Sequence, residues 1–244
     1  MIEVYASKLA KFLEKAVGTG KTPLSLTIDK TGLHILQSLS NNLGSVKAHM
    51  SLEDSTMLTY KEEAPVVINV LNAKNFIDPL KTFEQVKILV KEAEGSLFLS
   101  DASRLFEIPI SDADLIQGVG VDTFGDTSKY SFRMKFLAMA QLIEDIGLVN
   151  AQKIRVEKSA ERLQFIVGHG QKMKVVHFVN EKSSETFSFS LNALTFKDVI
   201  SNFKGDEIEF GFKEGSPLFI RWSTETSYVQ VLLALRDEFT IEEV

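Results

Sequence analysis

Between residues 24 and 29 apolar and polar side chains alternate strictly, and two further strand-like stretches follow at 32–37 and 45–50. That pattern predicts three half-buried strands. Upstream the period changes. Leu9, Phe12, Leu13, Ala16 and Val17 recur at helical spacing, so residues 7–17 form a helix with one apolar face, entered from a short strand at 2–5. A strand at 66–70 then leads to a second helix, which Asn72 is placed to cap by accepting an orphan backbone N–H. Strands at 86–90, 97–99 and 105–110 follow.

The order then repeats. A strand around 130–132 leads into a helix over 134–146, and strands come at 153–157, 163–167 and 173–178. A strand at 187–191, a helix over 194–203 and strands at 208–212, 218–222 and 228–235 close the chain. Residues repeat along with the elements. Leu71-Asn72-Ala73 returns as Leu191-Asn192-Ala193, an offset of 120 (191 − 71), and at that offset Phe76, Asp78, Phe83 and Ile88 match Phe196, Asp198, Phe203 and Ile208. Glu94-Gly95-Ser96 likewise returns as Glu214-Gly215-Ser216. The expected fold is therefore α+β, with two tandem similar domains, 1–111 and 129–244, each of two strand–helix–three-strand units. Between them 112–128 holds Gly118, Gly120 and Gly125 among aspartates and loses both periods, as a linker does. Leu115, Ile116, Val119 and Val121 interrupt it. Apolar linker residues gain nothing unless they pack on a domain or a partner.

With 244 residues each half can bury its own core, and 44% hydrophobic with 25% charged residues is ordinary for a globular protein. No apolar run approaches the ~20 residues of a membrane span, and Met1-Ile2-Glu3-Val4 does not begin a signal pattern, so an intracellular protein without membrane contact is expected. The absence of cysteine removes disulfides and thiolate metal sites. A net charge of −6 argues against indiscriminate coating of nucleic acid but leaves room for a local basic face.

Catalytic chemistry finds little support. Gly18-Thr19-Gly20-Lys21-Thr22 resembles the end of a phosphate-binding loop, whose backbone N–H groups and lysine hold phosphates at a helix start. Lys15 occupies the place of its first glycine, however, and the helix precedes the segment instead of following it. A helix-ending turn with Gly18 as cap fits better than a nucleotide hydrolase. His34, His49, His169 and His177 have no metal-ligand spacing. Asp112 and Asp114 begin like a calcium loop, but Ile116 and Gln117 stand where an oxygen ligand and a glycine are needed. No metal or cofactor is expected, nor an enzyme. A quieter signal lies on the helices. Lys8, Lys11 and Lys15 share a stripe opposite the apolar face of the first, and Lys74 and Lys81 share a face of the second. Two such stripes on equivalent helices suit a phosphate surface.

Gln37-Ser38-Leu39-Ser40-Asn41-Asn42 after a hairpin, Tyr60, the linker 115–122, Glu214-Gly215-Ser216-Pro217-Leu218 and Leu232-Leu233-Ala234-Leu235-Arg236 together resemble the DNA sliding clamps of the proliferating cell nuclear antigen (PCNA) family. The resemblance runs over essentially the whole chain. It implies a ring of three subunits, with sheets outside and helices lining a channel around duplex DNA, and no catalytic activity. The phosphate-facing groups would be Lys8, Lys11, Lys15, Lys74 and Lys81, with Arg133, Lys197 and Lys204 from the second half. DNA polymerase, clamp loader, flap endonuclease and ligase would insert short glutamine-and-aromatic peptides into a pocket. Its walls would be Leu39, Leu43, Val46, Val119, Val121, Leu232, Ala234 and Leu235. Subunits would join edge to edge through Leu105, Phe106, Ile108 and Ile110 of one chain and Lys174, Val176 and Phe178 of the next. The protein would act inside the cell, in the cytoplasm if archaeal or viral-prokaryotic and in the nucleus if eukaryotic. Leu235 departs from the proline usual there. The basic stripe thins in the second half, which leaves a heterotrimeric or checkpoint-type ring as the alternative. Pro79 inside the second helix predicts a kink or a cost of ~3 kcal/mol.

Overall fold

The order of elements follows from where the two periods switch. In a computed structural model, which describes residues 2–18, 22–39, 43–52, 57–91, 94–111, 130–179, 186–212 and 216–236, the chain runs through four strand–helix–strands units. The first is β1 (Ile2–Tyr5), α1 (Ala6–Val17), β2 (Leu24–Ile28), β3 (Gly32–Ser38), β4 (Gly44–Ser51) and β5 (Met57–Tyr60). The second is β6 (Val66–Val70), α2 (Ala73–Leu80), β7 (Gln85–Lys91), β8 (Ser96–Ser100) and β9 (Leu105–Pro109). The third is β10 (Tyr130–Lys135), α3 (Phe136–Leu148), β11 (Lys153–Lys158), β12 (Leu163–Val167) and β13 (Val175–Val179). The fourth is β14 (Phe187–Asn192), α4 (Ala193–Ser201), β15 (Glu207–Phe212), β16 (Leu218–Ser223) and β17 (Ser227–Leu233). The α+β layout of repeated units is as the sequence implies, with β5 added to the first unit.

The chain divides into two compact bodies, Met1–Phe124 with Ser223–Gln230, and Gly125–Trp222 with Val231–Val244. In the first, one sheet has the order β5-β1-β7-β8-β9 and β4-β3-β2-β6 form another, all antiparallel. In the second, β13-β12-β11-β14 form one sheet and β10-β15-β16 pair in another. Helices pack in pairs, α1 with α2 and α3 with α4.

The repeat has a structural meaning at each matched position. Asn72 and Asn192 are both N-caps, accepting from Lys74 N at 3.1 Å and from Thr195 N at 3.0 Å. Phe76, Phe83 and Ile88, like Phe196, Phe203 and Ile208, are buried beneath their helix and the strand after it. The first N–H of every helix also finds a carbonyl on another element of its own body. Ala6 donates to Glu84 O, Ala73 to Thr22 O, Phe136 to Asp206 O and Ala193 to Gln152 O, at 2.7–3.3 Å. Helix starts are therefore stitched reciprocally within each pair, which removes orphan donors that burial would make costly.

The two cores differ in kind. The first is mainly aliphatic, with Leu9, Leu13, Leu24, Leu26 and Leu80 fully buried around Phe12 and Phe76. The second is aromatic. Phe132 stacks on Phe210 at 5.0 Å, Phe187 meets Phe212 at 4.1 Å, and Phe165 and Phe196 complete the cluster. Two sequence expectations shift. Met134 continues the alternation of β10, buried on one face with Tyr130 and Phe132, so α3 starts at Phe136 instead of 134. Pro79 falls next to last in an eight-residue helix, which ends at Leu80. As the seventh residue it still lacks the N–H that would reach the Asn75 carbonyl, so the expected cost of an internal proline applies to one helical bond. Its carbonyl still accepts from Thr82 N and Oγ1 at 3.0 and 2.8 Å.

Candidate functional site

α1 places Lys8 and Lys11 on its exposed face and Lys15 half-buried in its last turn, because Leu9, Phe12, Leu13 and Ala16 turn the opposite side inward. α2 exposes Lys74, Asn75 and Asp78, with Lys81 just past its end. The surface is less basic than the lysine stripe suggests. Lys81 Nζ lies 2.6 Å from Glu14 Oε1 and 3.5 Å from Asp78 Oδ1, and Lys74 Nζ lies 4.0 Å from Asp78 Oδ2. The hydrogen bond to Glu14 raises the Lys81 pKa, despite some desolvation. Lys81 thus ties α1 to α2 first and offers phosphate what charge remains. Gly18 (φ 75°) ends α1 and donates its N–H to Glu14 O at 2.8 Å, as a helix cap does. Helix before and strand after is the reverse of a phosphate loop. Thr19, Gly20 and Lys21 lie outside the described residues.

The second body offers a different helix surface. α3 exposes Leu137, Ala138, Gln141, Glu144 and Leu148, without a cation, and α4 exposes Leu194 and Asp198. Lys197 is half-buried, its Nζ 3.3 Å from where a Cβ on Gly147 would sit. Burial raises the Asp198 pKa, and Lys197 pulls against it. Lys204 is exposed beyond α4. Arg133 does not belong to this surface by its helix at all. It stands on β10, turned away from the buried face of that strand, with its guanidinium 3.6 Å from Glu209 Oε2 on β15. The strand period carried it to the sheet.

Among the described residues β9 and β13 are two of the strands left with one side unpaired. β9 borders its sheet and β13 borders its own. Ile110 N donates to Gly95 O at 3.0 Å, so the even-numbered positions of β9 bond to β8 and the odd-numbered ones face outward. Pro109, which has no N–H, falls on the outward side, where an edge strand tolerates it. Leu105 is 65% exposed, whereas Phe106 is half-buried against Phe83 and Ile108 belongs to the core. Ile110 is half-buried just beyond β9. On β13, Val176 is half-buried and Phe178 is 59% exposed, while exposed Lys174 precedes the strand. His177 Nε2 lies 2.9 Å from Asp145 Oδ2 on α3, close enough for an ion pair although not aligned as a hydrogen bond.

Of the peptide-pocket residues, Leu43 is 36% exposed, Leu39 and Leu235 are half-buried, and Ala234 is exposed. Val46 and Leu232 are buried and belong to the cores of their own bodies. Val119 and Val121 lie outside the described residues, as do Asp112 and Asp114.

One polar cluster had no sequence signal, because it depends on register. β3–β4 pairing sets His34 opposite His49, with Nδ1 atoms 3.2 Å apart, and His34 Nε2 lies 3.2 Å from Asp29 Oδ1. Burial would raise the Asp29 carboxyl, but hydrogen bonds from the Thr31 side chain and backbone and from His34 hold it at about 2. Burial lowers the His49 pKa from its ordinary 6.5, and the charge of His34 lowers it further. The unfolded chain therefore takes up a proton at His49 before the folded chain does, so this stability is complete above about pH 6.5 and is lost as pH falls. A unit-one unfolding midpoint that drops between about pH 7 and 5 is expected, and a His49→Phe variant should show a flatter profile. Equal slopes would reject the assignment. Among the described residues no group of three or more His, Cys, Asp or Glu side chains is placed to hold a metal, and no helix is long and apolar enough to cross a membrane.

No family model and no curated protein sequence matches the chain. Solved structures do. PCNA from Entamoeba histolytica superposes with a TM-score of 0.79 at 9% identity, covering 97% of this chain and 99% of that one. A. fulgidus PCNA, solved with the C-terminal region of FEN-1 bound, gives 0.77 at 15% identity, over 98% and 99%. A PCNA2–PCNA3 complex from Sulfolobus tokodaii gives 0.75 at 13%, over 96% and 98%. The fold is that of a PCNA-type clamp. At these identities the shared property is the clamp fold itself, spanning both chains from end to end.

Proposed function

We propose that the chain is a non-catalytic subunit of a ring-shaped sliding clamp, which encircles duplex DNA and tethers replication and repair enzymes. The end-to-end clamp fold carries this reading. Domains 1–111 and 129–244, joined by 112–128, would be used three times to give a near-six-fold ring. Subunits join by strand addition between β9 and β13, through Leu105 and Phe106 on one side and Val176 and Phe178 on the other. Such pairing satisfies backbone groups that an exposed edge leaves open to aggregation. Lys8, Lys11, Lys15 and Lys74 supply a screened, sequence-independent attraction to phosphates, with Lys81 contributing less because Glu14 holds it. Loose contact of this kind suits a ring that must move, since base readout would fix it in place.

Partner enzymes would bring a glutamine-and-aromatic peptide to the apolar side chains Leu39 and Leu43 of the first body. A fluorescent peptide of that type should bind the full chain and lose at least about tenfold in affinity on Leu43→Asp, because a carboxylate in an apolar contact must be desolvated without a partner. Unchanged affinity would reject the pocket. A mixed ring is the second reading. It is favoured by the uneven charge of the two helix pairs, since chains with a basic second half would complete the channel. The Sulfolobus tokodaii neighbour is itself a complex of two different PCNA chains.

A further inference from the structure

The second body holds a cavity of about 370 Å³ at one end of the β13-β12-β11-β14 sheet, lined by Arg155, Glu157, Lys158, Arg162, Gln164 and Ser188 among others. Its walls come from strands and the β11–β12 turn, not from α3 or α4, so DNA contact through helices does not call for it. Three cations face one carboxylate there, and the carboxylate is already engaged. Glu157 Oε1 accepts from Arg155 Nε and Oε2 from Gln164 Nε2, both at 2.6 Å, while Arg155 also reaches Ser188 Oγ at 3.2 Å. Arg155 and Glu157 thus neutralise each other and form a fixed wall.

Lys158 and Arg162 are left over. Lys158 is 5% exposed, and its ammonium donates to the Ser159 carbonyl at 2.6 Å, with no carboxylate partner among the described residues. One neutral acceptor leaves two of its three donors and its whole charge to be matched. A methionine there would avoid that cost, so a nearly buried lysine in a cavity wall points to an anion that completes it. The Arg162 guanidinium lies over the Phe178 ring at 4.7 Å. Stacking occupies its face and leaves the in-plane fork of N–H donors for a ligand. Among the described residues neither cation has a carboxylate partner, and two such charges match a dianion better than a single carboxylate.

We propose that this cavity binds the dianion of a small phosphate ester, with Lys158 and Arg162 as its two cations. A phosphate offers three terminal oxygens to an ammonium and a guanidinium fork. The volume lies at the lower end of the range for ligand sites, enough for a mononucleotide but not for a larger cofactor. The assignment concerns the second body alone.

Calorimetric titration of the full chain at constant ionic strength tests it, using inorganic phosphate, deoxyadenosine monophosphate, deoxyadenosine and succinate. Phosphate and the mononucleotide should each bind at one site per chain and compete, whereas the nucleoside should not bind. If the mononucleotide binds more tightly than phosphate, the physiological source is an ester; equal affinity identifies free phosphate. Arg162→Gln, at an exposed position, should weaken both by at least about tenfold. Lys158→Met should do the same and raise the unfolding midpoint in phosphate-free buffer. Phosphate binding unaffected by Arg162→Gln, no binding to the folded protein, or succinate binding in its place would overturn the proposal.

Discussion

Lys8→Glu combined with Lys11→Glu is expected to abolish retention on duplex DNA at about 0.1 M salt while leaving the fold intact. Both side chains lie on the exposed face of α1, opposite Leu9, Phe12 and Leu13, so their reversal leaves the buried core untouched. Each lysine that neutralises a phosphate contributes about 0.9 to the slope of log affinity against log salt, so the pair should lower that slope by about 2. Charge reversal adds repulsion to the loss. Arg133→Glu is the matched control, since that guanidinium stands on β10 beside Glu209 and not on the helix surface. Fluorescence anisotropy over a salt series measures both. An unchanged slope in the double variant, or an equal loss in the control, would remove the lysine face from the account.

The second large effect is on stability. Phe210→Ala should cost roughly 3–5 kcal/mol. The ring is fully buried, stacks on Phe132 at 5.0 Å and lies 6.4 Å from Phe196, so truncation leaves a cavity that stiff neighbouring rings cannot close. A domain of this size is stable by only about 5–15 kcal/mol, so the second body should unfold at much lower guanidinium than the first. Leu137→Ala, at a position 84% exposed on α3, should change little by comparison. Intrinsic fluorescence and circular dichroism followed through the same titration would separate the two bodies. Equal midpoints for Phe210→Ala and the unaltered chain would show that the aromatic cluster is not what holds the second core.

Why some of this was legible in the sequence and some was not follows from range. Caps and periods are local: Asn72 and Asn192, followed by Ala73 and Ala193, specify helix starts through bonds two or three residues long. The 120-residue echo (191 − 71) added the domain count without any contact being known. β5 has no apolar–polar alternation to announce it, because Met57 and Leu58 are adjacent apolar residues. At Met134 a residue compatible with either period was given to the helix, yet its burial with Tyr130 and Phe132 belongs to the strand. That same boundary misplaced Arg133. The Lys81–Glu14 ion pair has no local signal, since Glu14 lies on another helix. The His34–His49 pair and the Arg155–Glu157–Gln164 network exist only once strands are in register.

α1 carries exposed Lys8 and Lys11, and the proposed ring would gather these faces of its subunits around one channel. Multi-angle light scattering of the purified chain tests this most directly. The account predicts roughly 82 kDa, three times the 27.3 kDa of one chain, falling to the monomer mass when Phe178→Asp charges the β13 edge. A mass of 27.3 kDa for the unaltered chain at every concentration would contradict a ring that closes on itself.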